Sequence, residues 1–282
     1  MARKNFIVTL AVLLLTSVGV MAAKSAGCGK APTIRSQQYS ITVNGKNRQY
    51  IVRLPANYDQ NTAHKLVFTW HQLGGSAQKI RDGEDTNRGG ALPFYGLPPL
   101  AGNSAIFVAP QGLNNGWGNQ GGEDLTFFDS MVKTLEADLC IETTLRFSTG
   151  FSYGGAMSFA IACARPKEIR AISVLSGGLL SGCQGGTEPV AYYGQHGTSD
   201  SVLNVSGGRQ MRDRFVRNNG CTAVSEPQPG STSVKVEYKN CKAGYPVTWV
   251  VHRGDHNPSQ TDNGQIFAPK NTWDFFSQFT AQ

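Results

Sequence analysis

A serine between glycines is the strongest chemical signal in this sequence. Residues Gly150-Phe-Ser-Tyr-Gly154 match the pattern Gly-x-Ser-x-Gly, with a strand-like segment at 144–149 before them and a helix-like segment at 155–164 after them. A serine on such a strand-to-helix turn is typical of the nucleophile of a serine hydrolase, although the five-residue pattern also occurs by chance. We predict that Ser152 is the nucleophile. The glycines fit a turn too tight for side chains, and the N-terminus of the helix would face the developing negative charge.

A general base must accompany this serine, because a hydroxyl group is a poor nucleophile at neutral pH. In enzymes with this turn, the acid and then the histidine follow the serine along the chain. Beyond residue 200 the sequence holds only two histidines, His252 and His256. His252 lies inside a predicted strand, whereas His256 follows the end of that strand, at the sheet edge where catalytic side chains gather. His256 is therefore the predicted base; the alternative is a polar loop residue.

An acid that orients this histidine is expected on a loop after an earlier strand. Asp200 meets this expectation, because it follows a predicted strand at 189–193 and a short turn. Asp255 is the competitor, but adjacent side chains on an extended loop usually diverge, so it is poorly placed to orient His256. Asp213 lies between two arginines on a predicted helix and is expected to be solvated.

The oxyanion that forms during acyl transfer is usually held by backbone N–H donors. One donor is expected from Tyr153, the residue after the nucleophile. The other is expected from the glycine-rich loop 71–75, with Leu73 or Gln72 as the donor. His71 could be a second base, but we predict that it shapes this loop.

Substrate contacts are expected from residues on the neighbouring loops. Trp117 lies in a polar, glycine-rich loop, and we assign Trp117 and Gln72 to substrate binding. Phe94 and Tyr95 are candidates for a pocket wall, since aromatic faces suit planar ligands, but they could equally belong to the core or its rim.

Short predicted strands alternate with helices over most of the chain. Strands are predicted at 37–54 (a hairpin), 65–70, 105–109, 144–149, 168–175, 189–193, 233–238 and 247–252, and helices at 124–137, 155–164, 208–218 and 272–279. This alternation predicts a mostly parallel sheet with helices on both faces. Together with the Ser152 turn, it indicates the α/β-hydrolase fold.

The first 26 residues are predicted to be a secretory signal peptide. Arg3 and Lys4 precede an apolar run at 6–20, and alanines at positions 22, 23 and 26 suit cleavage. A membrane anchor is less favoured, because the run is shorter than the roughly 20 residues needed to span a bilayer. Residues 27–282 are predicted to form a single secreted catalytic domain.

Charge and cysteine content indicate which classes of partner and cofactor are not expected. The chain carries a net charge of +7, and loss of the predicted leader would leave +4, which is spread along the chain, so we expect no nucleic-acid partner. No zinc-like spacing occurs among the cysteines, so no metal is expected. The chemistry predicted for Ser152 needs no organic cofactor, so none is expected either.

The six cysteines, an even number in a chain predicted to be secreted, indicate three disulfides. Sequence leaves 15 pairings open, and we favour Cys221–Cys241 because these residues flank a turn-rich insertion. Asn204 is the predicted glycosylation site, since it heads the only sequon without proline in the middle.

Five segments of the chain resemble secreted fungal feruloyl esterases of carbohydrate esterase family one, which are related to polyhydroxybutyrate-depolymerase-type esterases. They begin Gly112-Leu-Asn-Asn-Gly-Trp, Gly121-Gly-Glu-Asp-Leu, Leu145-Arg-Phe-Ser-Thr, His196-Gly-Thr-Ser-Asp and Gly254-Asp-His. The resemblance covers nearly all of the mature chain and implies an α/β-hydrolase that cleaves hydroxycinnamic esters from arabinose side chains of plant xylan. We expect the enzyme to be a monomer. By motif the resemblance implies Ser152, Asp200 and His256 as the triad. Gln72 departs from the family pattern, where glycine is usual. The residue in the loop 71–75 that provides the first oxyanion donor is therefore not fixed by the resemblance.

Several alternative functions remain open. An acetylxylan esterase, a polyester depolymerase and a serine peptidase would share the same triad, and fold alone does not choose a substrate. A wall-binding protein on a retired hydrolase scaffold is the non-enzymatic alternative, and the intact set of Ser152, Asp200 and His256 argues against it.

Overall fold

The computed structural model describes residues 23–281, which form a nine-stranded sheet with helices on both sides. The strand order is β1-β2-β4-β3-β5-β6-β7-β9-β8. Neighbouring strands are parallel from β4 through β9 and antiparallel at the two edges, which confirms the predicted mostly parallel sheet. The strands are β1 (Gln38–Val43), β2 (Lys46–Arg53), β3 (His64–Trp70), β4 (Ala105–Pro110), β5 (Ile141–Phe151), β6 (Ala171–Leu175), β7 (Ala191–Gly197), β8 (Val234–Glu237) and β9 (Val247–His252).

Two hydrophobic cores, one on each face of the sheet, hold the helices in place. The residues of β3 alternate between them: Leu66 and Phe68 face one core and Val67 faces the other, as the two-residue period of a strand requires. The first core is covered by α3 (Glu123–Asp138), α4 (Tyr153–Ala164) and α5 (Val205–Asn218), and the second by α1 (Ala77–Asp82), α2 (Pro98–Ala101) and α6 (Ala268–Ser277). Because both faces are covered, the short central strands β4 and β6 are apolar nearly throughout.

The elements differ from the predictions mainly at their ends. Helix α1 was not predicted, because six residues are too few to show a helical period. Helix α6 begins at Ala268 rather than Thr272, since Pro269 is compatible with the first turn of a helix. A two-strand ladder, β10 (Thr261–Asp262) with β11 (Gln265–Ile266), follows β9. No helix within residues 23–281 is long and apolar enough to cross a membrane.

Three disulfides join the six cysteines. Cys221–Cys241 is confirmed as predicted, and Cys163–Cys183 closes a loop of the same sequence separation, 20 residues. Cys28–Cys140 spans 112 residues and fastens the N-terminal segment to the start of β5. In the chain-entropy account, this long loop restrains the unfolded chain most.

The segment from Ala23 to Ala26 belongs to the folded domain, although the sequence assigned it to the leader. The Thr143 N–H donates to Ala23 O (2.8 Å), and the Ser25 N–H donates to Ile141 O (2.9 Å). Ser25 is buried, and its hydroxyl group donates to Leu139 O (2.6 Å). The rest of the predicted leader, residues 1–22, lies outside the described residues.

Candidate active site

Ser152 stands on a strained turn between β5 and α4. Its backbone has φ 55° and ψ −117°, a conformation that non-glycine residues rarely adopt and that tends to mark functional sites. An alanine Cβ at Gly154 would lie 2.0 Å from Trp70 O, and one at Gly150 would lie 2.4 Å from the carbonyl carbon of Gly154. Both glycines are therefore required by backbone approaching backbone, as the pattern Gly-x-Ser-x-Gly implied.

Tyr95 binds the backbone next to this turn through its hydroxyl group. Its side chain is buried, and its hydroxyl group donates to Trp70 O (2.6 Å) and accepts from the Phe151 N–H (3.1 Å). Burial raises the pKa of the Tyr95 phenol, so it remains a donor. Phe94 is also buried, so of the two roles left open for Phe94 and Tyr95, core packing is the one observed. The hydrogen bond of Tyr95 to the nucleophile turn had no signal in the sequence.

His256 and Asp200 meet beside the serine because β7 and β9 are parallel neighbours in the sheet. The Nδ1 atom of His256 lies 2.7 Å from Asp200 Oδ2. The His256 ring is tilted against that of Phe151, with 4.5 Å between the ring centroids, which places His256 next to the residue that precedes Ser152. Since Nδ1 is engaged by the carboxylate, Nε2 is the nitrogen left to accept a proton.

The Asp200 carboxylate is buried but well supplied with donors. Oδ1 accepts from the Val202 N–H (3.0 Å) and the Leu203 N–H (2.7 Å). Oδ2 lies within hydrogen-bond distance of His256 Nδ1 (2.7 Å) and His196 Nε2 (3.2 Å). Burial raises the pKa of Asp200, but the hydrogen bonds from His196, His256 and Leu203 outweigh it and hold that pKa well below its usual range. The carboxylate therefore stays ionised.

The competing residues have other contacts. Asp255 accepts from the backbone N–H groups of Ser201 (2.7 Å) and His256 (2.7 Å), and not from the His256 ring. His252 is buried in β9, its Nδ1 accepts from the Gly254 N–H (3.1 Å), and burial lowers its pKa to about 4. Asp213 is half-exposed beside Arg212.

The loop after β3 presents the Leu73 N–H as a free donor. Gln72 O accepts from His71 Nδ1 (2.7 Å) and from the Gly75 N–H (2.9 Å). In a trans peptide, C=O and N–H point in opposite directions, so the Leu73 N–H points away from His71. Among the described residues we find no acceptor for it. Tyr153, the first residue of α4, likewise has an N–H that the helix cannot satisfy.

His71 is the residue that holds this peptide in place. It is fully buried, and its Nε2 accepts from the Gly112 N–H (3.0 Å), which leaves the ring proton on Nδ1. Burial lowers the pKa of His71 to about 4, so the ring is neutral at working pH. This agrees with the prediction that His71 shapes the loop.

Trp117 and Gln72 are the two predicted substrate contacts, and the prediction for Trp117 is wrong. Its side chain has 0% exposure, its indole N–H donates to His71 O (2.8 Å), and its ring meets that of Trp70 edge-on. A side chain without exposed surface cannot touch a ligand bound at the surface, so Trp117 supports the loop. Gln72 is half-buried and its amide donates to Glu84 (2.9 Å); its contact with substrate remains a prediction.

Four exposed apolar side chains stand on the loops that surround Ser152, and we call them the apolar rim. They are between 46% and 66% exposed and follow strands β3, β6 and β7: Leu73, Leu179, Leu180 and Val202. A Cβ at Gly116 would lie 3.4 Å from Leu73 Cδ1 and 3.1 Å from the Tyr153 ring, so the two residues predicted to donate to the oxyanion share this neighbour.

The order of Ser152, Asp200 and His256 on a mostly parallel sheet defines a serine hydrolase of the α/β-hydrolase class. No family model matches the chain. Feruloyl esterase D of Neurospora crassa is 60% identical over 280 residues, which cover 96% of this chain and 97% of that protein. Feruloyl esterase C of Emericella nidulans is 45% identical, covering 91% and 92% of the two chains. The chain belongs to the feruloyl esterase family of carboxylic ester hydrolases, which confirms the resemblance.

Solved structures agree on the fold. A CE1 ferulic acid esterase from Anaeromyces mucronatus, determined with ferulic acid, superposes with a TM-score of 0.58 at 18% identity over 86% of this chain and 89% of that one. An acetyl xylan esterase from Aspergillus awamori superposes with a TM-score of 0.60 at 13% identity over 86% of this chain and 99% of that one. At these identities the likeness concerns architecture, and it confirms the predicted α/β-hydrolase fold.

Proposed function

We propose that this protein is a secreted serine esterase that releases ferulate from feruloylated arabinose side chains of plant xylan. The observation that carries the proposal is the 2.7 Å hydrogen bond between His256 and Asp200 beside the strained Ser152. It occurs in a chain that is 60% identical to a feruloyl esterase.

The reaction would proceed in two acyl-transfer steps. His256 Nε2 takes the hydroxyl proton of Ser152, whose oxygen attacks the feruloyl carbonyl, and the oxyanion accepts from the N–H groups of Tyr153 and Leu73. His256 then protonates the sugar hydroxyl as the ester bond breaks. In the second step, water loses a proton to His256 and attacks the acyl-enzyme. The bond between the acyl carbon and the Ser152 oxygen breaks, His256 gives its proton to that oxygen, and ferulate is released. Ionised Asp200 holds the His256 ring and stabilises its charged form.

The apolar rim supports an aromatic acyl group. Leu73, Leu179, Leu180 and Val202 expose apolar surface on three loops around the serine. A planar aromatic ring such as that of ferulate would cover this surface, and burial of apolar area stabilises binding by about 25 cal/mol per Å². Acetate offers almost no area of this kind, so the rim favours the aromatic ester over the acetyl ester.

Two features support secretion: the predicted leader, and the contacts that the first described residues make with β5. Because Ala23 and Ser25 bond to β5, cleavage before Ala23 would leave these contacts intact, whereas cleavage after Ala26 would remove them.

Asn204 is exposed, and its side-chain oxygen caps α5 by accepting from the Ser206 N–H (2.9 Å). Its amide nitrogen is left for a glycan. We propose a monomer.

Hydrolysis of methyl ferulate tests the proposal, with methyl sinapate, 4-nitrophenyl acetate and a short hydroxybutyrate ester as competing substrates. We expect methyl ferulate to be turned over, and we expect Ser152→Ala to lose this activity with an unchanged melting temperature. Ser277→Ala, an exposed serine on α6, is the matched control and should behave as wild type. Turnover of the acetyl ester alone would reassign the enzyme to deacetylation, and full activity in Ser152→Ala would reject the nucleophile.

A further inference from the structure

A second histidine touches the acid of the triad. His196 lies on β7, four residues before Asp200, and its Nε2 is 3.2 Å from Asp200 Oδ2, the same oxygen that His256 contacts. The side chains of His196 and Asp200 are 1% and 0% exposed. Two imidazole rings therefore share one carboxylate oxygen, and of the two the His256 ring is the one that packs against Phe151, the residue before Ser152.

The hydrogen bonds of His196 determine which of its nitrogens carries the proton. Nε2 also lies 2.7 Å from Leu203 O, so it faces two acceptors and must be the donor. Nδ1 is buried without a hydrogen-bond partner. It faces Gly208 of α5, where an alanine Cβ would lie 2.4 Å from it. The ring is thus held between helix α5 and the loop that carries Asp200.

We propose that His196 is a positioning residue for the acid of the triad, in the reaction proposed above. Its Nε2–H bridges Asp200 Oδ2 and Leu203 O, and the Leu203 N–H returns a bond to Asp200 Oδ1. This bridge fixes the direction in which Asp200 presents Oδ2 to His256. It also shares the negative charge of that oxygen, which limits how strongly the carboxylate stabilises the protonated form of His256.

Two substitutions of His196 separate its hydrogen bond from its volume. His196→Gln keeps a side-chain N–H near the position of Nε2, whereas His196→Leu keeps bulk without a donor. We expect His196→Leu to lower kcat for methyl ferulate about tenfold or more, with KM within about twofold, because the substrate does not touch this residue. His196→Gln should keep most of the wild-type kcat. The burst of 4-nitrophenol released from 4-nitrophenyl acetate gives the concentration of active sites. Dividing the rate by this concentration corrects kcat for any unfolded protein.

The pH profile supplies a readout that a purely structural role would not move. Without the His196 donor, Oδ2 carries more negative charge and favours protonated His256, so the acid limb of kcat/KM should shift to higher pH in His196→Leu. In His196→Gln the limb should stay near its wild-type position. A limb that does not move upward, or equal kcat in the two variants, would overturn the proposal.

A second pair of variants tests the ring from the helix side, without altering His196 or Asp200. Gly208→Ala would push a methyl group onto His196 Nδ1, whereas Gly207→Ala, the neighbour on the same helix, meets open space. We expect Gly208→Ala to lower kcat per active site and Gly207→Ala to leave it unchanged; equal kcat in both would count against the proposal. If Ser152→Ala stayed active, the proposed function itself would fail, which is a separate result.

Discussion

The two parts of the proposed catalytic machinery are held in place by different contacts. Ser152 is held by its backbone: its N–H donates to Leu175 O (2.9 Å), and Gly154 approaches Trp70 too closely for any side chain. Asp200 and His256 are held by side-chain hydrogen bonds: His196 on β7 donates to Asp200, and Ser201 in the loop of Asp200 donates to Asp255 in the loop of His256.

Ser152 is therefore positioned by contacts within one local unit, whereas Asp200 and His256 are positioned by several hydrogen bonds between separate segments. The turn at Ser152 is one rigid strand-to-helix unit, so a change that disturbs its backbone should damage the fold and the activity together. The position of Asp200 and His256 depends on several separate hydrogen bonds. Loss of any one of these bonds should lower activity while the fold persists.

Asp200→Asn should give the largest effect on activity. The amide would present an N–H to His256 Nδ1–H and force the wrong tautomer, so we expect kcat to fall by about 10³–10⁴ with little change in melting temperature. Asp255→Asn, whose carboxylate does not contact the ring, is the control and should lose only a few-fold. Similar losses in the two variants would contradict the assignment of the acid.

Gly154→Ala should destabilise the whole domain. The new Cβ would lie 2.0 Å from Trp70 O, and backbone cannot yield as a flexible side chain can. We expect a loss of about 3 kcal/mol or more in the free energy of unfolding measured in urea, at the upper end of overpacking effects. Gly207→Ala, with open space around it, should be neutral or stabilising. Wild-type stability in Gly154→Ala would reject the proposed rigidity of the turn.

Buried neutral histidines should make stability depend on pH. In the folded state the pKa of His71 and that of His252 are both about 4, below the ordinary value of 6.5, because burial disfavours the charged ring. The unfolded chain then binds more protons between these values, so stability is full above about pH 6.5 and falls as the pH drops toward 4. His252→Asn, which keeps an acceptor for the Gly254 N–H, should show a shallower fall in urea unfolding; an identical fall would contradict this origin.

Tyr95→Phe should weaken the turn without removing any catalytic group. The Phe151 N–H would lose its acceptor inside the core, at a cost of about 1–3 kcal/mol. We expect kcat to fall as well, since Phe151 precedes Ser152. Tyr193→Phe removes a buried hydroxyl group that donates to Gln195 (3.2 Å), away from the turn, and should spare kcat. Equal kcat in both variants would show that Tyr95 does not act through the turn.

Ser201→Ala should have the smallest effect. It removes the side-chain bonds to Asp255 Oδ1 (2.8 Å) and Oδ2 (3.0 Å) but leaves the backbone bond between the same loops. We expect a few-fold fall in kcat for methyl ferulate and no measurable change in stability, because the bond is solvent-exposed. A fall as large as that of Asp200→Asn would mean that this tether, and not His196, orients the acid.

The sequence by itself determined the tight turn at Ser152, the mostly parallel sheet and the meeting of Asp200 and His256 at one edge of it. These features depend on local patterns: glycines required by a tight turn, apolar runs that form buried strands, and polar residues that follow strand ends. Parallel strands bring their carboxyl ends to one edge, so the three residues could be grouped from their order along the chain.

Only the tertiary structure decided how these residues are supported. Trp117 proved to be buried under the loop after β3, Tyr95 proved to hold the turn, and His196 proved to contact Asp200. The N-terminal residues around Ser25 proved to bond to the start of β5. Each of these contacts, except that of His196, joins residues more than 40 positions apart. Such pairings depend on the packing of the whole domain, and His196 itself is recognisable only once the path of its loop is known.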